Sequence, residues 1–270
     1  VLPRSEARER RPARVPFGRL ALICVSVLCI GSIANTRAAA RVVLFVGAAA
    51  AVGLMLRLDN RAAARLFPTG MLSPRSRIGK GFWMIFLLGM STTPGGVYVP
   101  LLVQVLHDVT PAAAGYLYAV QSLSWTAGTL LSARVSPARA RTVLVLGPLL
   151  TAAGFAGLVF TIGGGPVAAI ATSLMLVGIG IGTCWAHVGT AILSSGRPDE
   201  GALTAAMIPS TQLFAVALGA ALSGVIANAA GLGDAATPPA AALAGAWLFG
   251  GFVAAPLAAL VIGSRLRPAP

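Results

Sequence analysis

The chain has 270 residues, of which 57% are hydrophobic and only 10% charged, where soluble domains carry about 25% charged residues. Uncharged apolar runs of about 18 residues or more mark membrane-spanning helices, so the composition excludes a soluble domain and predicts an all-α polytopic membrane protein. The net charge of +13 does not make it a nucleic-acid binder, because the basic residues sit in short loops between apolar runs.

A basic tail (1–19) precedes two short spans, 20–36 and 40–57. They need Arg37, Arg41 and Arg57 to reach toward headgroups, and together they form a two-helix unit, 20–57. The segment 58–79, "LDNRAAARLFPTGMLSPRSRIG", is the longest loop and holds the main internal boundary. Six further spans follow, at 80–104, 111–133, 142–163, 166–192, 201–230 and 240–263. They make a bundle over 80–264, before a tail at 265–270.

Loop charge tests this count of eight. Alternating sides from the N-terminus leaves only Arg37 and Arg41 on one side, and every other basic residue, Lys80 included, on the other. By the positive-inside rule the arginine-rich side is cytoplasmic, with both termini inside. All seven acids, Glu6, Glu9, Asp59, Asp108, Asp199, Glu200 and Asp234, fall in tails or loops. That leaves His187 as the intramembrane titratable group near neutral pH; His107 sits at the outer end of the third span. Cys24, Cys29 and Cys184 lie in apolar runs without a CxxC partner, which predicts inert thiols and neither a disulfide framework nor a metal site.

In the third span, "STTPGGVYVP" puts Pro94, Gly95 and Gly96 near the middle, beside Thr93. Proline removes a donor and glycine weakens a helix, so a kink or hinge is expected, of the kind found where broken helices meet a ligand. A packing kink is the alternative. In the fourth span Tyr118, Gln121, Ser122, Trp125, Thr129 and Ser132 fall on one helical face. That face is expected to point into the protein or a water-filled path, with interhelical hydrogen bonding as the alternative.

The sixth span contains "GIGIGTCWAHVGTAI". Its three glycines, Gly178, Gly180 and Gly182, would need a preceding strand to form a phosphate loop, so they are expected to serve helix packing. Ser173, Gly180, Thr183, His187 and Thr190 share a weakly polar seam. Trp185 lies about 200° round the helix from that seam's His187 neighbourhood, facing lipid or a neighbouring helix. Cys184 and His187 lack a second ligand cluster, so no metal is expected. In the seventh span, Pro209 and Gln212 lie near the middle, and Gly219 and Gly224 read as packing positions.

Several segments in order carry a resemblance: "RLFPTGMLSPRSRIGKGFWMIFLLGMSTTPGGVYVPLLVQVLHDVTPAAAGYLYAVQSLSWTAGTLLSARV", "LVGIGIGTCWAHVGTAILSS" and "GALTAAMIPSTQLFAVALGAALSGVI". Over roughly residues 20–264 the chain resembles the major facilitator superfamily, and more narrowly its fourteen-helix drug:proton antiporter group. The likeness is to that group's two extra helices followed by its second six-helix bundle. The loop "SARVSPARARTVLVLG" departs from the pattern, keeping Arg134, Arg139 and Arg141 but not the Asp-Arg-x-Gly turn.

The resemblance implies proton-coupled efflux of small amphipathic organic compounds across a bacterial cytoplasmic membrane, driven by the proton gradient without a bound cofactor. Its implied partners are a small organic substrate, the lipid bilayer, and a missing N-terminal six-helix half or a partner chain. Thr93, Tyr118, Gln121, Trp125, His187 and Gln212 are the pathway candidates. No nucleophile–base pair is apparent, so no enzyme is expected. A membrane assembly subunit without transport of its own is the alternative. The first residue is Val rather than Met, which fits a literally translated GTG start or a fragment.

Overall fold

The computed structural model describes residues 17–33, 36, 38–62, 65–136, 139–233 and 236–266. Most of the basic tail, Arg37, Asp234 and Arg267, with Glu6 and Glu9, lie outside the described residues. The described residues form helices α1 (Phe17–Ser32), α2 (Ala38–Arg61), α3 (Arg77–His107), α4 (Pro111–Ser132), α5 (Ala140–Thr161), α6 (Val167–Leu193), α7 (Gly201–Ala229), α8 (Pro238–Phe252) and α9 (Ala254–Ser264).

Each of the eight expected spans is helical over most of its described residues, the first as far as Ser32. Among the described residues, six helical segments are long and apolar enough to cross a membrane by length and composition, from Ala40–Arg61 to Pro238–Ser264. The two exceptions have separate causes. α1 has 16 residues, about 24 Å at 1.5 Å per residue, short of a hydrocarbon core of about 30 Å. α4 has 22 residues, but its serines, threonines and Gln121 lower its hydropathy.

Local chemistry sets the helix ends. Ser76 caps α3, its hydroxyl accepting from the Gly79 N–H at 2.9 Å while donating to the Gly70 carbonyl at 2.6 Å, a reciprocal arrangement that satisfies an orphan helix donor. α3 ends at Asp108 in the left-handed region, φ 52°, which a short polar side chain tolerates. Thr110 then caps α4, with Pro111 at its first position, where a missing N–H does no harm.

α3 runs as one helix through Pro94, Gly95, Gly96 and Pro100; a kink bends a helix without ending it. The eighth span is one segment, Pro238–Ser264, divided into α8 and α9 at Val253, where Pro256 cannot donate to the Phe252 carbonyl. One expectation needs correction. Asp59 is not in a loop. α2 runs four residues past the expected end, and Asp59 sits in its last turn, 3% exposed.

α6 is the centre of the bundle, with α4 along one side and α5 along the other. One buried apolar cluster, including Leu102, Phe155, Leu174 and Phe249, occupies one end. A second, including Met84, Leu88, Leu144 and Ile192, occupies the arginine-rich end. α3 packs on α7 and α9, and α1 pairs with α2 and touches α7.

Candidate functional site

The glycines of "GIGIGTCWAHVGTAI" point two ways. A Cβ on Gly178 would overlap the Gln121 carbonyl, and one on Gly182 the Trp125 carbonyl, both on α4. A Cβ on Gly180 would lie 2.6 Å from the Gly147 carbonyl on α5. Positions 178 and 182 are one turn apart and face α4; position 180 is half a turn round and faces α5. The neighbours answer in kind: Gly128 on α4 would meet the Ile179 carbonyl at 2.6 Å, and Gly154 on α5 the Ser173 carbonyl at 2.6 Å. Small residues thus bring three backbones into direct contact.

This packing positions the α4 face. Gln121 is 3% exposed, enclosed by α3 and α6 rather than lining an open path. Its Oε1 has no hydrogen-bond partner and lies 2.8 Å from where a Gly95 Cβ would be; the Tyr118 hydroxyl lies 2.8 Å from the corresponding point on Gly96. The two glycines of α3 therefore make room for the two polar side chains of α4. A buried amide oxygen without a donor costs about 1–3 kcal/mol, so this spot is poised to accept a hydrogen bond. One turn along, Trp125 packs on Trp185, ring centroids 5.4 Å apart and planes at 57°. Trp185 faces a neighbouring helix and belongs to the same aromatic seam. Its pairing needed knowledge that α4 and α6 are neighbours, although both tryptophans were visible in the sequence.

Thr93 and Gly219 join α3 to α7. Pro94 leaves the Met90 carbonyl without its usual helical donor, and that carbonyl lies 2.5 Å from where a Gly219 Cβ would sit. The Thr93 hydroxyl donates to the Val216 carbonyl at 3.1 Å. Gln212 lies on the same α7 surface, against Gly89 of α3, about 10 Å along the helix from Gly96 at 1.5 Å per residue. It is not grouped with Tyr118 and Gln121. Gly224 is half-buried on α7 and Pro209 is exposed.

His187 is anchored at the end of α4. Its Nε2 lies 3.0 Å from the Ser132 carbonyl. A carbonyl only accepts, so this nitrogen carries a proton and donates, to a carbonyl that also accepts from the Val135 N–H at 2.9 Å. Thr183 donates back within α6, to the Ile179 carbonyl at 2.7 Å, and Thr190 to the Ala186 carbonyl at 3.0 Å. No group of three or more potential metal ligands occurs among the described residues.

A separate feature went unread in the sequence. A cavity of about 580 Å³ lies between the α1–α2 hairpin and the α3/α7 face, lined by aromatic and thioether side chains such as Met55, Phe82, Phe86, Met207 and Phe214. The i, i+4 spacing of Phe82 and Phe86, and of Ser210 and Phe214, could have flagged its walls. Arg19 of α1 forms an ion pair with Asp59 of α2 at its rim, and the same carboxylate accepts from the backbone N–H groups of Leu66 at 2.7 Å and Phe67 at 3.2 Å. Further round, Glu200 holds Thr69 by two hydrogen bonds, from its N–H at 2.8 Å and its hydroxyl at 2.6 Å.

No family model matches the chain. Two curated proteins named probable multidrug-efflux transporter, from the CDC 1551 and H37Rv strains of Mycobacterium tuberculosis, are each 32% identical to it over 243 residues, covering 87% of this chain and 51% of theirs. A puromycin resistance protein of Streptomyces alboniger is 29% identical over 199 residues, covering 70% of this chain and 39% of its own. The chain spans about half the length of the curated relatives it matches. Its apolar helices and these relatives together make it an integral membrane protein, similar along most of its length to part of a drug transporter.

Proposed function

We propose that this chain is the C-terminal part of a proton-coupled exporter of small amphipathic organic compounds, of the fourteen-helix drug:proton antiporter group. On this reading α1 and α2 are the two extra helices and α3–α9 the second bundle. It works with an N-terminal six-helix half in a bacterial cytoplasmic membrane, both termini inside. The observation that carries the reading is the similarity, along 87% of the chain, to proteins named multidrug-efflux transporter.

The α3–α4–α6 seam supports it chemically. An unpartnered amide oxygen at Gln121 offers a hydrogen-bond acceptor, and the Trp125–Trp185 pair offers aromatic faces that hold flat or cationic groups. Gln121 meets a substrate donor only if α3 moves from α4 at Gly95 and Gly96. That is a movement within the second bundle, additional to the rocking of one bundle against the other in transporters of this architecture.

The test is accumulation of a fluorescent amphipathic drug in cells carrying the full-length gene, with and without an uncoupler. Lower accumulation that the uncoupler restores is expected. Equal accumulation with and without the gene overturns the proposal, and export insensitive to the uncoupler removes the proton coupling.

A further inference from the structure

The cavity beside the hairpin lies apart from the seam and belongs to no step of the export reading. Stripes of four helices converge on it. Leu20 and Ile23 of α1 and Val52 and Met55 of α2 stand on one side. Phe82 and Phe86 of α3, and Met207 and Phe214 of α7, stand on the other, at spacings that put each pair on one helical face. Phe67 and Met71 of the connector also line it. At about 580 Å³ it falls within the range of about 300–1,000 Å³ typical of ligand pockets. Leu20 and Leu72 of its lining are exposed, so the space is open at its rim.

One property of the wall decides the charge of an occupant. No charged residue is among the described lining. The Ser210 and Thr211 hydroxyls donate to carbonyls within α7, at 3.0 and 2.7 Å, and that of Ser26 to the Ile23 carbonyl at 2.7 Å. The Trp83 indole N–H donates to the Leu72 carbonyl at 3.1 Å. Beside the chamber, Asp59 is already taken up by Arg19 and by the Leu66 and Phe67 N–H groups. An ion entering here loses its hydration and gains no partner, whichever its sign.

A second property decides its shape. Trp83 meets Phe86 edge-on, with ring centroids 5.7 Å apart and planes at 83°. Phe86 in turn stacks on Phe214 of α7, centroids 6.2 Å apart and planes at 30°. The three rings make one aromatic wall spanning α3 and α7. Met55, Met71 and Met207 add thioethers, which adapt to varied shapes and favour contact with aromatic edges. An alkyl chain fills such a space by burial alone, whereas an aromatic ring also gains from the ring and sulfur contacts.

We propose that this chamber is a binding site for one uncharged aromatic compound of drug size, held by packing between the α1–α2 hairpin and the Trp83–Phe86–Phe214 wall. The ligand fills the gap between hairpin and bundle.

The test is photolabelling of the 270-residue chain in nanodiscs with benzophenone, an uncharged diaryl ketone that inserts into nearby C–H bonds on irradiation. Adducts are located by peptide mass spectrometry, with thermal melting in detergent as a check on folding. Saturable labelling of Met55, Met71 and Met207 is expected, well above that of Met175, an exposed methionine on α6. Pyrene should compete, while 1-dodecanol and tetraphenylphosphonium at equal membrane concentration should compete about tenfold less well, a difference of one good contact. Val52→Phe, which fills the chamber, and Phe86→Leu, which takes out the middle ring of the wall, should each cut the labelling several-fold while melting normally. Labelling of the three methionines no greater than at Met175 overturns the proposal. So does equal competition by the alcohol or the cation, or undiminished labelling of either variant that folds. Export is not measured, so the outcome is independent of the proposed function.

Discussion

The bundle around α6 and the α1–α2 hairpin solve the same problem differently. Between α6 and its neighbours, glycines remove side chains so that backbones touch, and no space is left. Between the hairpin and α3/α7, large aromatic and thioether side chains meet across a gap and a cavity of about 580 Å³ remains. The bundle is held along whole helix lengths. The hairpin is held at its arginine-rich end, by the Arg19–Asp59 pair and the Asp59 bonds to the connector. The lesson is that apolar composition alone does not give close packing in a membrane. Without a hydrophobic drive between helices, it takes small residues in register.

This contrast can be broken at its strongest points. Asp59→Ala removes a buried carboxylate and its ion pair with Arg19; losing one partner of a buried pair costs roughly 3–5 kcal/mol. Hydrogen exchange should rise in α1, α2 and residues 65–67 while α4–α6 stay protected. Uniform exchange across the chain would mean that the hairpin and bundle are one cooperative unit.

Gly182→Ala forces a Cβ against the Trp125 carbonyl, and overpacking of this kind costs about 1–3 kcal/mol. The melting temperature in detergent should fall clearly, whereas Gly53→Ala on α2, with nothing within 4 Å of its Cβ, should leave it unchanged or raise it, since Ala is the better helix former by about 1 kcal/mol. Equal effects of the two changes would erase the distinction.

Thr69→Val removes a hydroxyl donor to Glu200 and should cost about 1 kcal/mol, seen as faster proteolysis of the connector. Gln121→Leu sharpens the comparison from the other direction. It removes an unpartnered buried oxygen, so melting should hold or rise by up to about 1 kcal/mol equivalent, while the drug-resistance profile of the full-length protein should narrow. A profile unaltered by this change would remove Gln121 from the substrate site.

The hydrophobic runs made the helices legible, since a backbone in lipid must satisfy its own hydrogen bonds. Pro111 marked the α4 start, and the glycines at 178, 180 and 182 marked a contact surface. Other features were illegible for definite reasons. The Pro94–Gly95–Gly96 run marked a weak point of α3, but not that the Met90 carbonyl Pro94 frees lies beside Gly219 of α7. Asp59 looked like a loop acid, because its partner Arg19 lies 40 residues away in sequence.

Sequence by itself determined a helical membrane protein, the places where its chain turns, and the candidates Tyr118, Gln121, Trp125 and His187, because lipid solvation acts on each segment alone. Tertiary structure alone decided which helix each face meets: Gln121 buried against Gly95, Trp125 on Trp185, His187 on the α4 terminus, and the open crevice beside the hairpin. Those outcomes depend on pairing between segments far apart in the chain, and one-dimensional periodicity carries no record of which face finds which partner.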